Sequence, residues 1–479
     1  MSSLTDGAPD PFQRFWEQLA EVRRQHPGES FLVEPAEATP GSGIAPRYVY
    51  EDGVVLVHEA DMPGIRRYTA APDQDSGVER VRKLMLGPGL HVPTEVNRIN
   101  WLSQRDPAPP GSGSGSGEGG GQAHGGRSPR RPASPNHLVS IAPVNLCPAG
   151  EPRPVPPVTP LWPYPDPGPA GVAGAPGAGI SVLVIDTGFQ PGFATDLPAL
   201  ADVHLLAGEP SRQLTGPTGL IKEYAGHGTF VTGVLRSAAP GTDVTVSSAL
   251  QFAGAILEDD LGGQILAVLA AAQEANGRWP HIISISGGAT SQDNQELTGL
   301  APLFDQLATD HTDTVLIAAA GNDGTSEHLF WPAAGALTHP GVISVGALRR
   351  DGLGRACFSN HGDWVTVYAY GEQVINLFPP GLYAYQHESG PVCRYYSPAL
   401  YPDCGCVIGT HYGDVVAFDG VASWSGTSFA TPLVAGLVAA HMTKIGETSD
   451  ARAAARDLLS RCATTMVDAG DQEKLLTLH

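Results

Sequence analysis

Four polar residues, Asp186, His227, Asn322 and Ser428, are those whose types and settings suit shared chemistry. Asp186 directly follows the apolar run Ile180-Ser-Val-Leu-Val-Ile185, in Val-Ile-Asp-Thr-Gly188. His227 lies in Ala225-Gly-His-Gly-Thr-Phe-Val-Thr-Gly-Val234, between glycines that admit a close neighbour. Asn322 ends Ala318-Ala-Ala-Gly-Asn322, just past another apolar run. Ser428 closes Ser425-Gly-Thr-Ser428 and opens a long apolar run that reads as a buried helix. A serine there lies at a helix N-terminus, where unpaired N–H groups and the helix dipole favour negative charge. A tight approach and a helix start present a hydroxyl and an anion site together. An asparagine amide is a donor for an oxyanion. Each residue also has an ordinary explanation: a strand-to-turn aspartate, a structural histidine, an asparagine tolerant of the αL region, a small-residue turn before a helix. Four in order, each within small residues at an element end, outweigh those explanations.

The elements that must position them are legible from pattern. From Gly179 onward, apolar strands alternate with helices. Strands are expected at 180–185, 201–206, 244–250, 281–286, 314–320, 342–347 and 364–368, and helices at 259–275 and 297–308. This is an α/β fold, a doubly wound, mostly parallel sheet with helices on both faces. Such sheets hold their ligands outside the carboxyl ends of the strands.

Ahead of it, residues 1–105 read as a small α+β unit. Asp10-Pro11 starts a helix carrying Phe12, Phe15, Trp16, Leu19 and Val22, which Pro27-Gly28 ends. Residues 47–50 and 54–58 around Asp52-Gly53 read as a β-hairpin. Val78 to Leu86 reads as a short helix, and 92–102 is mixed, with Trp101 its one large anchor. Residues 106–135, rich in Gly, Ser and Pro, are a flexible linker. Residues 136–178 are an extended Pro-rich arm, strand-like at its start, and 179–479 form the main domain.

Charge narrows the partners. With 28 basic and 49 acidic residues the net charge is −21, which argues against nucleic acid and anionic membranes as partners. No apolar run reaches transmembrane length, and the N-terminus lacks the basic and apolar regions of a secretory signal, so a cytoplasmic location is expected. The six cysteines are too scattered for a disulfide scaffold. Cys393, Cys404 and Cys406 cluster between His387 and His411, but Cys-Gly-Cys is not the usual spacing of a zinc knuckle.

The segments Val-Ile-Asp-Thr-Gly, Gly-His-Gly-Thr-Phe-Val-Thr-Gly and Gly-Thr-Ser-Phe-Ala-Thr-Pro resemble the Asp, His and Ser motifs of the subtilisin-like serine peptidases, the subtilases. Their chain order is that family's. Ala-Ala-Ala-Gly-Asn resembles the segment carrying the family's oxyanion-hole asparagine. The related sedolisins share the Gly-Thr-Ser motif but use Glu in place of His227 and Asp in place of Asn322. The resemblance spans about residues 178–445 and implies a serine endopeptidase working through an acyl-enzyme. Ser428 would be the nucleophile, His227 the general base and then acid, and Asp186 its orienting anion. Asn322 and the Ser428 N–H would form the oxyanion hole. Activity is then expected to rise as His227 loses its proton.

The resemblance also implies substrate contacts. Ile285, Ser286 and Gly287 would pair with the acyl side of a peptide or protein substrate, and Ala319, Ala320 and Gly321 would wall the primary pocket. Ser286 stands where an apolar residue is usual. No cofactor is required, and the sequence offers no clear metal-site loop. Asp196 lies roughly where many subtilases place a calcium ligand. An insertion at about 379–417, with Tyr383, Tyr385, Tyr395, Tyr396 and the clustered cysteines, would rim the cleft. The N-terminal unit reads either as a propeptide-like inhibitor that binds the cleft or as an adaptor for a partner protein. The alternatives to a general endopeptidase are a narrow, regulated processing peptidase and an inactive, subtilase-shaped binding protein.

Overall fold

The computed structural model describes residues 12–105, 131–141, 150–164, 174–189, 192–206, 218–250, 254–385, 413–468 and 474–478. Its main sheet has nine strands. In spatial order they are Thr464–Val467, Lys474–Leu478, Val367–Tyr370, Val342–Leu348, Val315–Ala319, Ile282–Ile285, Ser181–Ile185, Asp243–Ser247 and His204–Leu205. All neighbours pair in parallel except the first two, which form an antiparallel edge.

Both faces of this sheet are buried, which is why its strands read as continuous apolar runs. Val182 and Val184 point into one core with the helices His227–Ala238, Thr427–Ile445 and Ala451–Cys462. Leu183 and Ile185 point into the other, against the helices Glu258–Asn276 and Ala301–Thr309. The Thr427–Ile445 helix runs through the first core, and fourteen of its nineteen residues are buried. It lies so close to His227–Ala238 that a Cβ on Gly436 would come within 2.7 Å of the Leu235 carbonyl oxygen.

The N-terminal unit forms a second, antiparallel sheet. Its order is Ala255–Leu257, Ala133–Ser140, Tyr48–His58, Val81–Met85 and Asp73–Asp75, with Phe31–Glu34 also paired to Tyr48–His58. The first of these strands belongs by sequence to the main domain, so the two units share one ladder.

The N-terminal unit departs from several expectations. Asp52-Gly53 is not a hairpin tip. Tyr48–His58 is one eleven-residue strand with a register shift between Tyr50 and Val55. Its halves do not pair with each other because each has another partner: Phe31–Glu34 for the first, Val81–Met85 for the second, and Ala133–Ser140 along the other side. The helix expected near 78–86 is the strand Val81–Met85. The spacing of Val78, Val81 and Leu84 misleads because the strand is buried on both faces. Val81 meets Leu56 and Leu266 on one side, and Leu84 meets Val55, Val57 and Val96 on the other. Residues 92–105 form a regular helix, Val92–Arg105. Composition extends the linker to 135 and makes residues 136–178 an arm, yet Ala133–Ser140 is a strand buried along its whole length.

Later, the arm carries Arg153–Pro154 against Val421–Trp424, the strand that leads to Ser428. The stem of the expected insertion is the antiparallel pair Gly381–Ala384 and Val415–Phe418. Tyr383 is buried there, and its hydroxyl donates to Glu151 at 2.6 Å. Tyr395, Tyr396, Cys393, Cys404, Cys406, His387 and His411 lie outside the described residues. Cys357, buried, and Cys462, exposed, form no disulfide among the described residues. Among the described residues no helix is long and apolar enough to cross a membrane.

The helix crossing at Gly436 gives a stability test. Gly436→Ala is expected to cost about 1–3 kcal/mol, because the new methyl group meets backbone that cannot turn away. The check is a lowered thermal midpoint with the native circular dichroism spectrum retained.

Candidate active site

Asp186 and His227 meet in a direct hydrogen bond, Asn322 is bonded to Thr427 next to Ser428, and Phe429 on the other side of Ser428 packs on His227. Asp186 leaves the end of Ser181–Ile185 and is fully buried. Its Oδ1 accepts from His227 Nδ1–H at 2.8 Å, from the Thr187 N–H at 2.7 Å and from the Thr187 hydroxyl at 3.2 Å. Its Oδ2 is buried with no hydrogen-bond partner among the described residues. His227 begins the helix His227–Ala238, whose first turn packs on the Asp186 loop. Gly228 makes that approach possible: a Cβ there would lie 2.6 Å from the Gly188 carbonyl oxygen. The Gly228 N–H donates to Thr187 Oγ1 at 2.9 Å, so one threonine holds both elements.

Aromatic rings fix the imidazole from the other side. Trp424 meets it edge-on at 5.3 Å between centroids, and Phe429 lies at 5.4 Å. Trp424 is pinned in turn by its Nε1–H, which donates to the Gly150 carbonyl at 2.9 Å. With Nδ1–H committed to Asp186, the lone pair of the imidazole is on Nε2.

Ser428 is the second residue of Thr427–Ile445 and is 2% exposed. Its N–H belongs to the first turn, where no carbonyl stands four residues behind. Its hydroxyl donates to the Ser286 carbonyl oxygen at 3.1 Å. Asn322 lies just past the strand Val315–Ala319. Its Oδ1 accepts from the Thr427 N–H at 2.9 Å and from the Thr427 hydroxyl at 3.0 Å. That orients the amide, leaving Nδ2 as the end that donates. Nδ2 sits beside Gly426, 3.6 Å from where a Cβ would stand.

The residues assigned to substrate are also near. Ile285 ends its strand, paired with Ile185 and Ala318. Ser286 is buried, and its side chain turns toward the Ser428 backbone. Ala319 and Ala320 are buried, and the Gly321 N–H donates to Thr427 Oγ1 at 3.2 Å. The edge that Gly287 and Gly288 continue is already partnered. Ser140 exchanges both backbone hydrogen bonds with Gly288, each at 2.9 Å, and the Ile141 N–H donates to the Gly254 carbonyl at 2.8 Å. Asp196 ends the short helical turn Phe193–Asp196. Among the described residues no three His, Cys, Asp or Glu side chains gather as metal ligands would.

Sequence reasoning missed Asn360. It is fully buried, and its Nδ2 donates to the Ala320 carbonyl at 2.8 Å. Its Oδ1 accepts from the N–H groups of Asp323 and Thr325 at 3.0 and 3.3 Å. It thereby staples the loop that carries Asn322. Its only signal in the sequence was a polar residue in Phe358-Ser-Asn-His-Gly362, which by itself reads as a turn.

Known proteins resemble this chain in the same region. The family model for the subtilase family matches residues 177–475. Subtilisin BL from Lederbergia lenta is 27% identical over 215 residues, covering 44% of this chain and 71% of that protein. Subtilisin Savinase from the same organism is 26% identical over 219 residues, with coverage of 44% and 71%. Among solved structures, the prenylagaramide maturation protease PagA aligns at 23% identity with a TM-score of 0.42, over 63% of this chain and 91% of that one.

The staple at Asn360 is open to test. Asn360→Ala removes one donor and one shared acceptor from a buried loop and is expected to cost about 1–3 kcal/mol. If Asn322 depends on that loop, turnover of a peptide substrate falls about tenfold or more while KM moves little, as read by steady-state kinetics.

Proposed function

The chain belongs to the subtilase family of serine-type endopeptidases, and from that premise we propose that it cleaves peptide bonds through an Asp186–His227–Ser428 triad under the control of its own N-terminal unit. The observation that carries the triad is the buried hydrogen bond from His227 Nδ1–H to Asp186 Oδ1, at 2.8 Å. It fixes the tautomer in which Nε2 takes the Ser428 proton. The unpartnered Oδ2 of Asp186 leaves negative charge beside the ring, which stabilises the imidazolium that forms.

The Ser428 oxygen then attacks the substrate carbonyl carbon. The carbonyl oxygen becomes an oxyanion, which the Ser428 N–H and Asn322 Nδ2 stabilise. Losing one such donor typically costs about 10²–10³ in turnover. His227 returns its proton to the leaving amine as the carbon–nitrogen bond breaks, giving the acyl-enzyme. Water, with His227 again as base, completes hydrolysis. Ser428→Ala is expected to abolish covalent labelling by a fluorophosphonate probe, read by gel fluorescence. Labelling that persists in that variant contradicts the assignment.

A narrower reading, a regulated processing peptidase, has its own support. The backbone edge that the family resemblance gives to a substrate's acyl side is taken by the chain's own Ser140, on Gly288. A substrate strand must displace it. We therefore read the N-terminal unit as a built-in inhibitor and not as an adaptor. Charged contacts also hold it in place. Lys83 pairs at 2.6 Å with the fully buried Asp259, which opens the helix Glu258–Asn276. Burial works to lower the Lys83 ammonium, but the carboxylates around it, Asp259 foremost with Glu51 and Asp260, together hold that ammonium above its ordinary range. Next to it His137 Nδ1 donates to Glu258 at 3.3 Å, while its Nε2 accepts the Gln292 N–H at 3.1 Å. Burial pushes the Glu258 carboxyl above the usual carboxylate range, and His137 offsets part of that.

Lys83→Met keeps the aliphatic stem and removes the charge, leaving Asp259 buried without its cation. Cleavage of an extended peptide by the full-length variant is expected to rise severalfold, measured by kcat/KM. Unchanged kcat/KM in a stably folded variant contradicts the inhibitor reading and leaves the triad untouched.

A further inference from the structure

Ser286 was expected to be a substrate contact, but its geometry points elsewhere. Its hydroxyl donates to the Ser428 carbonyl oxygen at 2.9 Å, and the Ser428 hydroxyl donates to the Ser286 carbonyl oxygen at 3.1 Å. Both residues are almost wholly buried, at 1% and 2% exposure. The bonds are reciprocal, side chain to main chain in each direction. They join the strand end that follows Ile282–Ile285 to the first turn of Thr427–Ile445. We propose that Ser286 is a positioning residue for the Ser428 nucleophile, one that sets both the backbone position of Ser428 and the resting place of its hydroxyl.

Ser286 acts first on the main chain. The Ser428 carbonyl lies in the first turn, and its second lone pair accepts the Ser286 hydroxyl, so the start of the helix is tied to the sheet beside the reacting atom. Thr427, one residue earlier, is tied to Asn322. The nucleophile's segment is therefore anchored on two sides, and Ser286 supplies one of the anchors.

Ser286 acts also on the hydroxyl. Its carbonyl oxygen accepts the Ser428 hydroxyl at 3.1 Å and so fixes where that hydroxyl rests.

This rests on Ser428 being the nucleophile, and the test separates the two claims. Ser286→Ala keeps the carbonyl and removes the anchor, and Ser286→Thr keeps the hydroxyl. The full chain is assayed for peptide turnover and for its rate of labelling by a small fluorophosphonate that makes no contact with the strand edge. The proposal expects Ser286→Ala to lower kcat and the labelling rate together by about tenfold to a hundredfold, with KM within about twofold. Ser286→Thr is expected to recover most of both, or to label faster than Ser286→Ala where its added methyl lowers stability. If Ser286→Ala raises KM and labels at the wild-type rate, Ser286 is a substrate contact and the proposal falls. The same holds if neither quantity moves. In either case the loss of labelling in Ser428→Ala still stands for the triad by itself.

Discussion

The buried hydrogen bond between Asp186 and His227 is the constraint around which the rest of this protein is arranged. A carboxylate with no exposure is costly unless donors surround it. Asp186 meets three donors at one oxygen and keeps the other for the electrostatics of the ring. That bond requires the first turn of His227–Ala238 to lie on the Asp186 loop, which in turn requires Gly228 against Gly188. It also requires a wall behind the imidazole, supplied by Trp424 and Phe429. Those two rings flank the Ser428 motif, so the residues that hold His227 also adjoin Ser428.

The same economy appears between the units. The sheet of the N-terminal unit is not closed on itself. Its strand Ala133–Ser140 pairs with Tyr48–His58 on one side and with Ala255–Leu257 of the peptidase on the other, then runs on to Gly288. A strand with both edges satisfied leaves no unpaired ladder exposed. The acids that open the helix Glu258–Asn276 suit the positive end of the helix dipole and meet Lys83 and His137 from the N-terminal unit. The contacts that join the two units therefore also complete the sheet.

How much of this was legible in the sequence depended on whether the signal was local. The strand before Asp186 announced itself because both faces of the parallel sheet are buried, so Ser181–Ile185 is apolar almost throughout. The quartet Asp186, His227, Asn322 and Ser428 was legible because each sits in a frame of small residues that the close approach demands. What failed was what depends on distant partners. Asp52-Gly53 has the chemistry of a hairpin, but other strands, Phe31–Glu34 before it and Val81–Met85 after it, took its two halves. Val78, Val81 and Leu84 have helical spacing, but the helix Glu258–Asn276 covers the far face of their strand through Leu266. Ser286 read as a residue that pairs with substrate, because neither its hydroxyl nor its carbonyl reveals in sequence that both face Ser428. Asn360 carried only the signal of a turn, since the three partners of its side chain are backbone groups that any residue provides.

The central claim, that a buried carboxylate holds His227 in its working tautomer, is tested most directly by proton NMR. The His227 Nδ1–H, shielded from exchange and bonded to Asp186, should give a resonance far downfield of the amide envelope. The account predicts that this signal is present in the full-length protein and is lost in both His227→Ala and Asp186→Asn. A downfield signal that survives in Asp186→Asn would contradict it.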